Sequence, residues 1–504
     1  MNALEDSLKK RYLIKLFSNL INGAVNILFI ALIPKSLGPV AYGHFSYLQQ
    51  FFSQLLGLFD AGTSMAFFTK LSSNQKRKEL ISFYALYMVV VFLLIFAIIY
   101  LIRYTPFMTI LFPNIPQKYI FIGMGLGFLT WVSQIFIKIS DAYALTVSVE
   151  LLKILHKFAS LGLLFYFIYY LTFDLSAYFN FNYIVSILFI LLTTLLFIRK
   201  KVFSSDLWTQ PLRLYQNIKE FAHYSHPILL FSIVGVGIAM FDIWLLQRTG
   251  GSEQTGFYTL AYSIAAVSFL FTSSMTPIIT REFSRSFERG DNEKIRTHFK
   301  RYIPMFYSIA AFFAVFTAFQ SDHLIQIFTD EKFALAAPAL VVIALYPIHQ
   351  TYGQLSGSLF FASGNTSRYR NIGLVTSLVG LIFTFVFLFV LELGALGLAW
   401  KMLLTQLVGV TIQLYFNTSF LKLKMTPFIL HQLYSFLFFL FSAFVSFQLV
   451  SSIQTPLVNL LLCAFFYTLF TIIGGVIFPQ IFATTRGEIK ALFSRKSKDA
   501  LIDA

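Results

Sequence analysis

Lys15, Asn19, Asn22 and Asn26 recur at intervals of four, three and four residues, which places them on one face of a helix. The apolar run that carries them, about 13–33, is long enough to cross a bilayer. A second run, about 45–69, carries Gln50, Ser53, Gln54, Gly57, Asp60 and Ser64 at similar spacing. Lipid cannot satisfy such side chains, so the row must face protein or a water-filled cavity. Its chemistry is hydrogen bonding and positive charge. No hydrolytic or redox constellation stands out in the chain.

More cations lie in the predicted membrane helices. Lys153, His156, Lys157 and Ser160 share one face, as do Gln134, Lys138 and Asp141. For Lys138 and Lys153 the competing account is snorkelling to the inner headgroups. For Lys15 and Lys157, polar neighbours continue the stripe deeper. Together these residues predict a basic vestibule open to the cytoplasm, which would attract an anion such as a lipid-linked diphosphate. Asp60 and Asp242 are the carboxylates read inside helices. Each is either a proton or Na⁺ site or a structural partner: Asp60 of Lys15 or Lys70, and Asp242 of Arg248 or interfacial water. Tyr346, His349, Gln350, Tyr352, Gln354, Ser356 and Ser358 crowd one later helix, suited to sugar hydroxyls or to helix–helix hydrogen bonds. There is no Walker A sequence, paired-Cys metal site or His-Glu-x-x-His. The expectation is therefore a protein that is not an enzyme and uses no metal or cofactor.

The elements that must position these residues are membrane helices. Of 504 residues 57% are hydrophobic and 12% charged, with mean hydropathy +0.74, and this character runs the whole length. The sequence reads as an all-α polytopic protein of about fourteen spanning helices, near 13–33, 45–69, 80–102, 119–141, 151–171, 179–198, 226–246, 257–280, 302–320, 338–361, 371–391, 396–416, 433–450 and 457–479. With the N-terminus cytoplasmic, 32 of the 38 Lys and Arg fall inside and five outside. That satisfies the positive-inside rule and puts both termini in the cytoplasm. It also absorbs the net charge of +16, leaving nothing for nucleic acid to explain. Residues 1–11 are charged and the first run is long and polar, which argues against a cleavable signal. The lone Cys463 reads as a small apolar residue.

The chain also repeats. A shift of 213 residues lays Gly38 on Gly251 and Gly43 on Gly256, each pair linking an outgoing helix to an incoming one, with a basic inner loop after each incoming helix. This predicts two pseudo-symmetric six-helix lobes, 1–198 and 226–416, in the same orientation. A cytoplasmic link (199–225) joins them, helices 13 and 14 (417–482) form a peripheral pair, and 483–504 is a basic tail. Parallel halves suit a transporter that rocks around a central cavity.

The run Pro34-Lys35-Ser36-Leu37-Gly38-Pro39-Val40-Ala41-Tyr42-Gly43, then Phe59-Asp60-Ala61-Gly62 and Lys70, resembles bacterial polysaccharide transporters, including the O-antigen flippases. Their superfamily also holds the multidrug and toxin extrusion (MATE) exporters and the lipid II flippases. The motifs cover about residues 10–80, and Lys35 stands where the family often has Arg. The resemblance implies a bacterial inner-membrane protein. It would move an undecaprenyl-diphosphate-linked oligosaccharide to the periplasmic face by alternating access, with H⁺ or Na⁺ as the expected coupling ion. Membrane lipids and other polysaccharide assembly proteins are the expected partners. The alternatives weighed are a MATE-type drug exporter, which would want an acidic cavity, and a membrane polysaccharide polymerase or transferase, which would want a large outer loop.

Overall fold

The computed structural model describes residues 8–60, 62–204, 207, 211, 213–269 and 276–488, with the side chains at 8–13, 15–16, 20, 224, 226–231 and 277–278 set aside. Among the described residues the chain is helical, without a strand. It divides into two compact units, 1–259 and 260–504.

The first unit contains α1 (Leu8–Leu37), α2 (Pro39–Asp60), α3 (Thr63–Ser73), α4 (Glu79–Ile102), α5 (Pro106–Leu111), α6 (Gln117–Ala142), α7 (Thr146–Tyr170), α8 (Leu175–Arg199) and most of α9 (Leu214–Ala265). Helix α1 packs along α7, and α6 packs against both α2 and α8. The α2 side of that seam is aromatic and aliphatic, with Phe45, Leu48, Phe52 and Leu56 buried. On α6, Gly123 and Gly127 stand one turn apart. A Cβ there would lie 3.0 Å from Leu48 Cβ and 2.9 Å from Phe52 Cβ. Small residues at this spacing let two membrane helices approach closely.

The turn between α1 and α2 is tighter than the Pro/Gly content suggests. Helix α1 runs through Pro34 to Leu37, and Gly38 alone breaks the path, at φ +75°. Its counterpart Gly251 breaks α9 at φ +70°. Both need the left-handed backbone that glycine adopts without a Cβ penalty. The second glycine pair meets directly. A Cβ on Gly43 would overlap the Ser252 carbonyl oxygen, and one on Gly256 would overlap the Pro39 carbonyl oxygen. Nearby, Trp244 Nε1 donates to the Ile110 carbonyl at 2.7 Å and Gln247 Nε2 to the Pro113 carbonyl at 3.1 Å, tying α9 to the first unit.

The run 45–69 is not one helix. It breaks between Asp60 and Thr63, with Gly62 at φ +76°, so α3 starts afresh. Sequence periodicity does not report such a break, because polar residues continue at helical spacing on both sides.

The second unit contains α10 (Thr276–Glu288), α11 (Asn292–Phe319), α12 (Ser321–Phe328), α13 (Ala337–Ile343), α14 (Tyr346–Ala362), α15 (Thr366–Thr384), α16 (Gly394–Phe420), α17 (Thr426–Val450) and α18 (Pro456–Ile477). Helix α14 packs on α10, α11 and α16 around Phe299, Tyr307, Tyr352 and Leu355. Helices α17 and α18 pack on each other, and α17 also packs on α11. Tyr467 of α18 donates to the Phe312 carbonyl at 2.9 Å, and the His431 ring of α17 meets the Ile481 carbonyl at 3.1 Å.

Twelve described helical segments are long and apolar enough to cross a membrane. The difference from fourteen has two sources. Helix α2 carries His44, Gln49, Gln50, Ser53, Gln54 and Asp60, so it falls outside that set. The expected helices 226–246 and 257–280 run together as one segment, Ser232–Ser268, across Gly251, and 270–275 lie outside the described residues.

Candidate functional site

Asp60 ends α2, and its carboxylate gathers donors from three helices. Tyr84 Oη of α4 donates to Oδ1 at 2.8 Å, Trp131 Nε1 of α6 donates to Oδ1 at 2.9 Å, and Ser64 Oγ of α3 donates to Oδ2 at 2.7 Å. Lys138 Nζ stands 3.7 Å from Oδ2 and also donates to Ser64 Oγ. A carboxylate offers about four lone-pair sites. Three are taken by hydrogen bonds, and the Lys138 ammonium stands near the carboxylate beyond hydrogen-bond reach.

The α2–α3 break makes this geometry. It sets the end of one helix and the first turn of the next around the same carboxylate, and Tyr84 also meets Thr63 Oγ1 at 3.0 Å. The Asp60 and Lys138 side chains are 21% and 32% exposed, so the couple is partly open. It borders a small cavity of about 70 Å³ lined by Gln49, Ser53, Gly57, Thr130, Trp131 and Gln134. The described lysine beside Asp60 is Lys138, not Lys70. Lys70 instead pairs with Glu220 at 2.7 Å, and the Lys15 side chain lies outside the described residues.

A second polar seam runs between α1 and α7. Lys153 Nζ binds Glu150 Oε1 at 2.8 Å, Ser18 Oγ reaches the Glu150 carbonyl at 3.5 Å, and Asn22 Nδ2 donates to Ser18 Oγ at 3.1 Å. Lys157 Nζ stands over the Phe29 ring, 4.3 Å from its centroid. Asn19 and Asn26 are exposed. His156 does not join Lys153 and Lys157. Its Nε2 meets the Val185 carbonyl of α8 at 2.9 Å.

The remaining expected residues lie apart from these two seams. Asp242 is 7% exposed and engaged with its surroundings, while Arg248 sits near the Trp244 ring at 5.6 Å. His349 and Gln350 belong to the second unit. The His349 ring lies 6.3 Å from Tyr307, and Gln350 Oε1 accepts from Tyr346 at 3.2 Å. Farther along α14, Asn417 Nδ2 donates to Ser356 Oγ at 2.8 Å, and Ser358 and Thr280 hydroxyls meet at 2.7 Å. Much of this helix's polarity therefore serves helix–helix bonding.

Sequence reasoning missed three participants. Glu150 is 2% exposed, and its Oε2 has no hydrogen-bond partner among the described residues. It fell just before an expected helix start and so went unread. Trp131 and Tyr84 gave a usable signal: an indole N–H or phenol inside an apolar helix needs an acceptor.

Below the couple, charges tie the 74–78 loop to α9. Glu220 Oε2 accepts from Lys70 at 2.7 Å and from Arg77 at 3.3 Å, and Arg77 also binds Glu79 at 2.9 Å and Asn217 at 3.0 Å. The Lys70 hydrogen bond leads in holding Glu220 below the ordinary carboxylate range, with Arg77 and Gln216 adding to it against partial burial. Burial works against the Arg77 charge, but Glu79 and Glu220 outweigh it and raise its pKa.

No protein-family model matches the chain. It is 21% identical over 212 residues to the "Probable low-salt glycan biosynthesis flippase Agl15" of Haloferax volcanii, a match that spans 42% of this chain and 44% of that protein. The chain thus aligns with less than half the length of that relative. Its fold is that of a class of polytopic transporters. It superposes on the lipid II flippase MurJ in an inward closed conformation with TM-score 0.66, at 16% identity, covering 92% of this chain and 98% of that one. An inward-facing multidrug resistance MATE family transporter of the MOP superfamily follows with TM-score 0.56, at 16% identity, covering 84% and 96%.

Proposed function

We propose that this chain is a flippase for a lipid-linked oligosaccharide, carrying a polysaccharide repeat unit on undecaprenyl diphosphate across a bacterial cytoplasmic membrane. The observation that carries this reading is the set of lysines on α6 and α7, Lys138, Lys153 and Lys157, each held by a protein partner within a membrane helix bundle. A diphosphate is the one strong charge of such a substrate, and partly open cations in a low-dielectric setting attract it without a fixed geometry. The named activities of MurJ and Agl15, lipid II flipping and glycan-biosynthesis flipping, agree with this substrate class.

In this reading Asp60 positions Lys138, with the carboxylate itself held by Tyr84, Trp131 and Ser64. Transport proceeds by alternating access between the lobes at 1–198 and 226–416, with both termini cytoplasmic and H⁺ or Na⁺ as the coupling ion. A multidrug exporter would want carboxylates facing a cationic drug, whereas here the Asp60 carboxylate is committed to tyrosine, tryptophan, serine and lysine.

Gene deletion followed by lipid extraction tests the reading. The expected result is single lipid-linked repeat units trapped on the cytoplasmic leaflet. Units that reach the outer leaflet unpolymerised would point to a polymerase and overturn the proposal. Lys138→Ala and Lys157→Ala should reproduce the trapped lipid at normal membrane abundance.

A further inference from the structure

Behind the Asp60 couple lies a larger cavity of about 530 Å³, lined by Leu58, Phe59, Phe83, Ile218, Phe221 and Ile233, with Ala222 on the same wall. Its hydroxyls are not offered to a guest. Thr63 Oγ1 turns to the Phe59 carbonyl at 3.3 Å, Tyr87 Oη donates to the Phe59 carbonyl at 2.6 Å, and Ser225 Oγ is buried against Gly62 with no hydrogen-bond partner among the described residues. A sugar or peptide would find no hydrogen bonds there, whereas a hydrocarbon needs none.

Size narrows the guest further. A cavity of roughly 150 Å³ takes one benzene ring, so this one has room for on the order of twenty carbons. That is one chain segment, short of the two tails of a phospholipid. Ile218 and Ile233 are exposed at its rim, giving a chain an apolar way in from the bilayer. Charge marks the other end. Lys70 lies two turns along α3 from Thr63, on the same face. Together with Arg77 and the exposed Lys219 it sets three cations against two carboxylates, Glu220 and Glu79.

We propose that this cavity is a binding site for a single polyprenyl chain, the lipid end of the carrier, with its phosphate toward the Lys70–Arg77 end. The choice of a polyprenyl over an acyl chain rests on the flippase reading. The cavity's preference for one hydrocarbon chain rests on its own walls.

The test uses the full chain in phospholipid nanodiscs with geranylgeranyl phosphate carrying a benzophenone on its terminal isoprene unit. Irradiation should label peptides containing residues 58–63, 83–87 or 218–233. Ala222→Trp, which fills the cavity, should reduce labelling to the level seen with excess unlabelled geranylgeranyl phosphate. Ile218→Trp is the second variant should the first fail to elute as a monodisperse species. Palmitoyl lysophosphatidylcholine should not compete. Labelling that survives both substitutions overturns the site, and equal competition by the lysolipid overturns the polyprenyl assignment. The measurement requires no transport, so the two proposals fail separately. A wild-type chain that flips but is not labelled at these peptides removes the cavity alone, and one that is labelled there but does not flip removes the flippase reading alone.

Discussion

Asp60 and Glu220 each hold a lysine in the first unit, by different means. Around Asp60, a tyrosine, an indole and a serine approach at 2.7–2.9 Å while the ammonium stands back at 3.7 Å. Around Glu220 the cations themselves come close, Lys70 at 2.7 Å and Arg77 at 3.3 Å. Around Asp60, neutral donors from α3, α4 and α6 fix the carboxylate, and the Lys138 side chain is 32% exposed. At the α3–α9 junction, the cations hold the carboxylate directly and tie α3 and the 74–78 loop to α9. The contrast separates a carboxylate fixed by neutral donors from one fixed by cations.

The largest effect that would break this contrast comes from Asp60→Ala. It removes the acceptor for Tyr84, Trp131 and Ser64, and each buried donor left without an acceptor costs about 1–3 kcal/mol. A sharp fall in detergent thermal stability and membrane abundance is expected. A variant as stable as wild type would show that the couple holds nothing together. Next comes Lys138→Met, which keeps the stem and removes the charge. Flipping, read by outer-leaflet accessibility of the lipid-linked oligosaccharide, should be lost with abundance unchanged. Preserved flipping would return Lys138 to a snorkelling role.

Glu220→Gln should matter less, by about 0.5–1 kcal/mol, because the pair is a quarter exposed and screened by solvent. Raising salt should shrink the difference from wild type. The pH dependence is the smallest effect. The Glu220 pKa is lowered in the folded protein, so its contribution is fully present above the ordinary carboxylate range and disappears as pH falls below it. The wild-type advantage over Glu220→Gln should therefore be flat near neutrality and vanish in acid, as followed by thermal unfolding. An advantage growing toward acid would reverse the assigned sign.

The sequence made the membrane helices, the glycine turns and the lysines of α6 and α7 legible. Those features follow from local pattern: run length, a residue without a Cβ, a charge in an apolar stretch. What it hid depends on packing between distant segments. Lys138 comes beside Asp60 only because α2 stops at Asp60 and the Gly123 and Gly127 surface of α6 lies against α2. Lys70 looked available until Glu220 arrived, 150 residues later. Glu150 was overlooked because a helix boundary is soft in sequence, and its burial depends on α1 lying along α7.

The meeting of Gly43 with residue 252 and of Gly256 with residue 39 brings main chain against main chain, with no side chain between. Such a junction resists even one added methyl group, so alanine at either position acts as a wedge. If the two strands of the crossing part during the working cycle, a wedge there would favour the parted arrangement and leave a protein that folds but cannot complete a round trip.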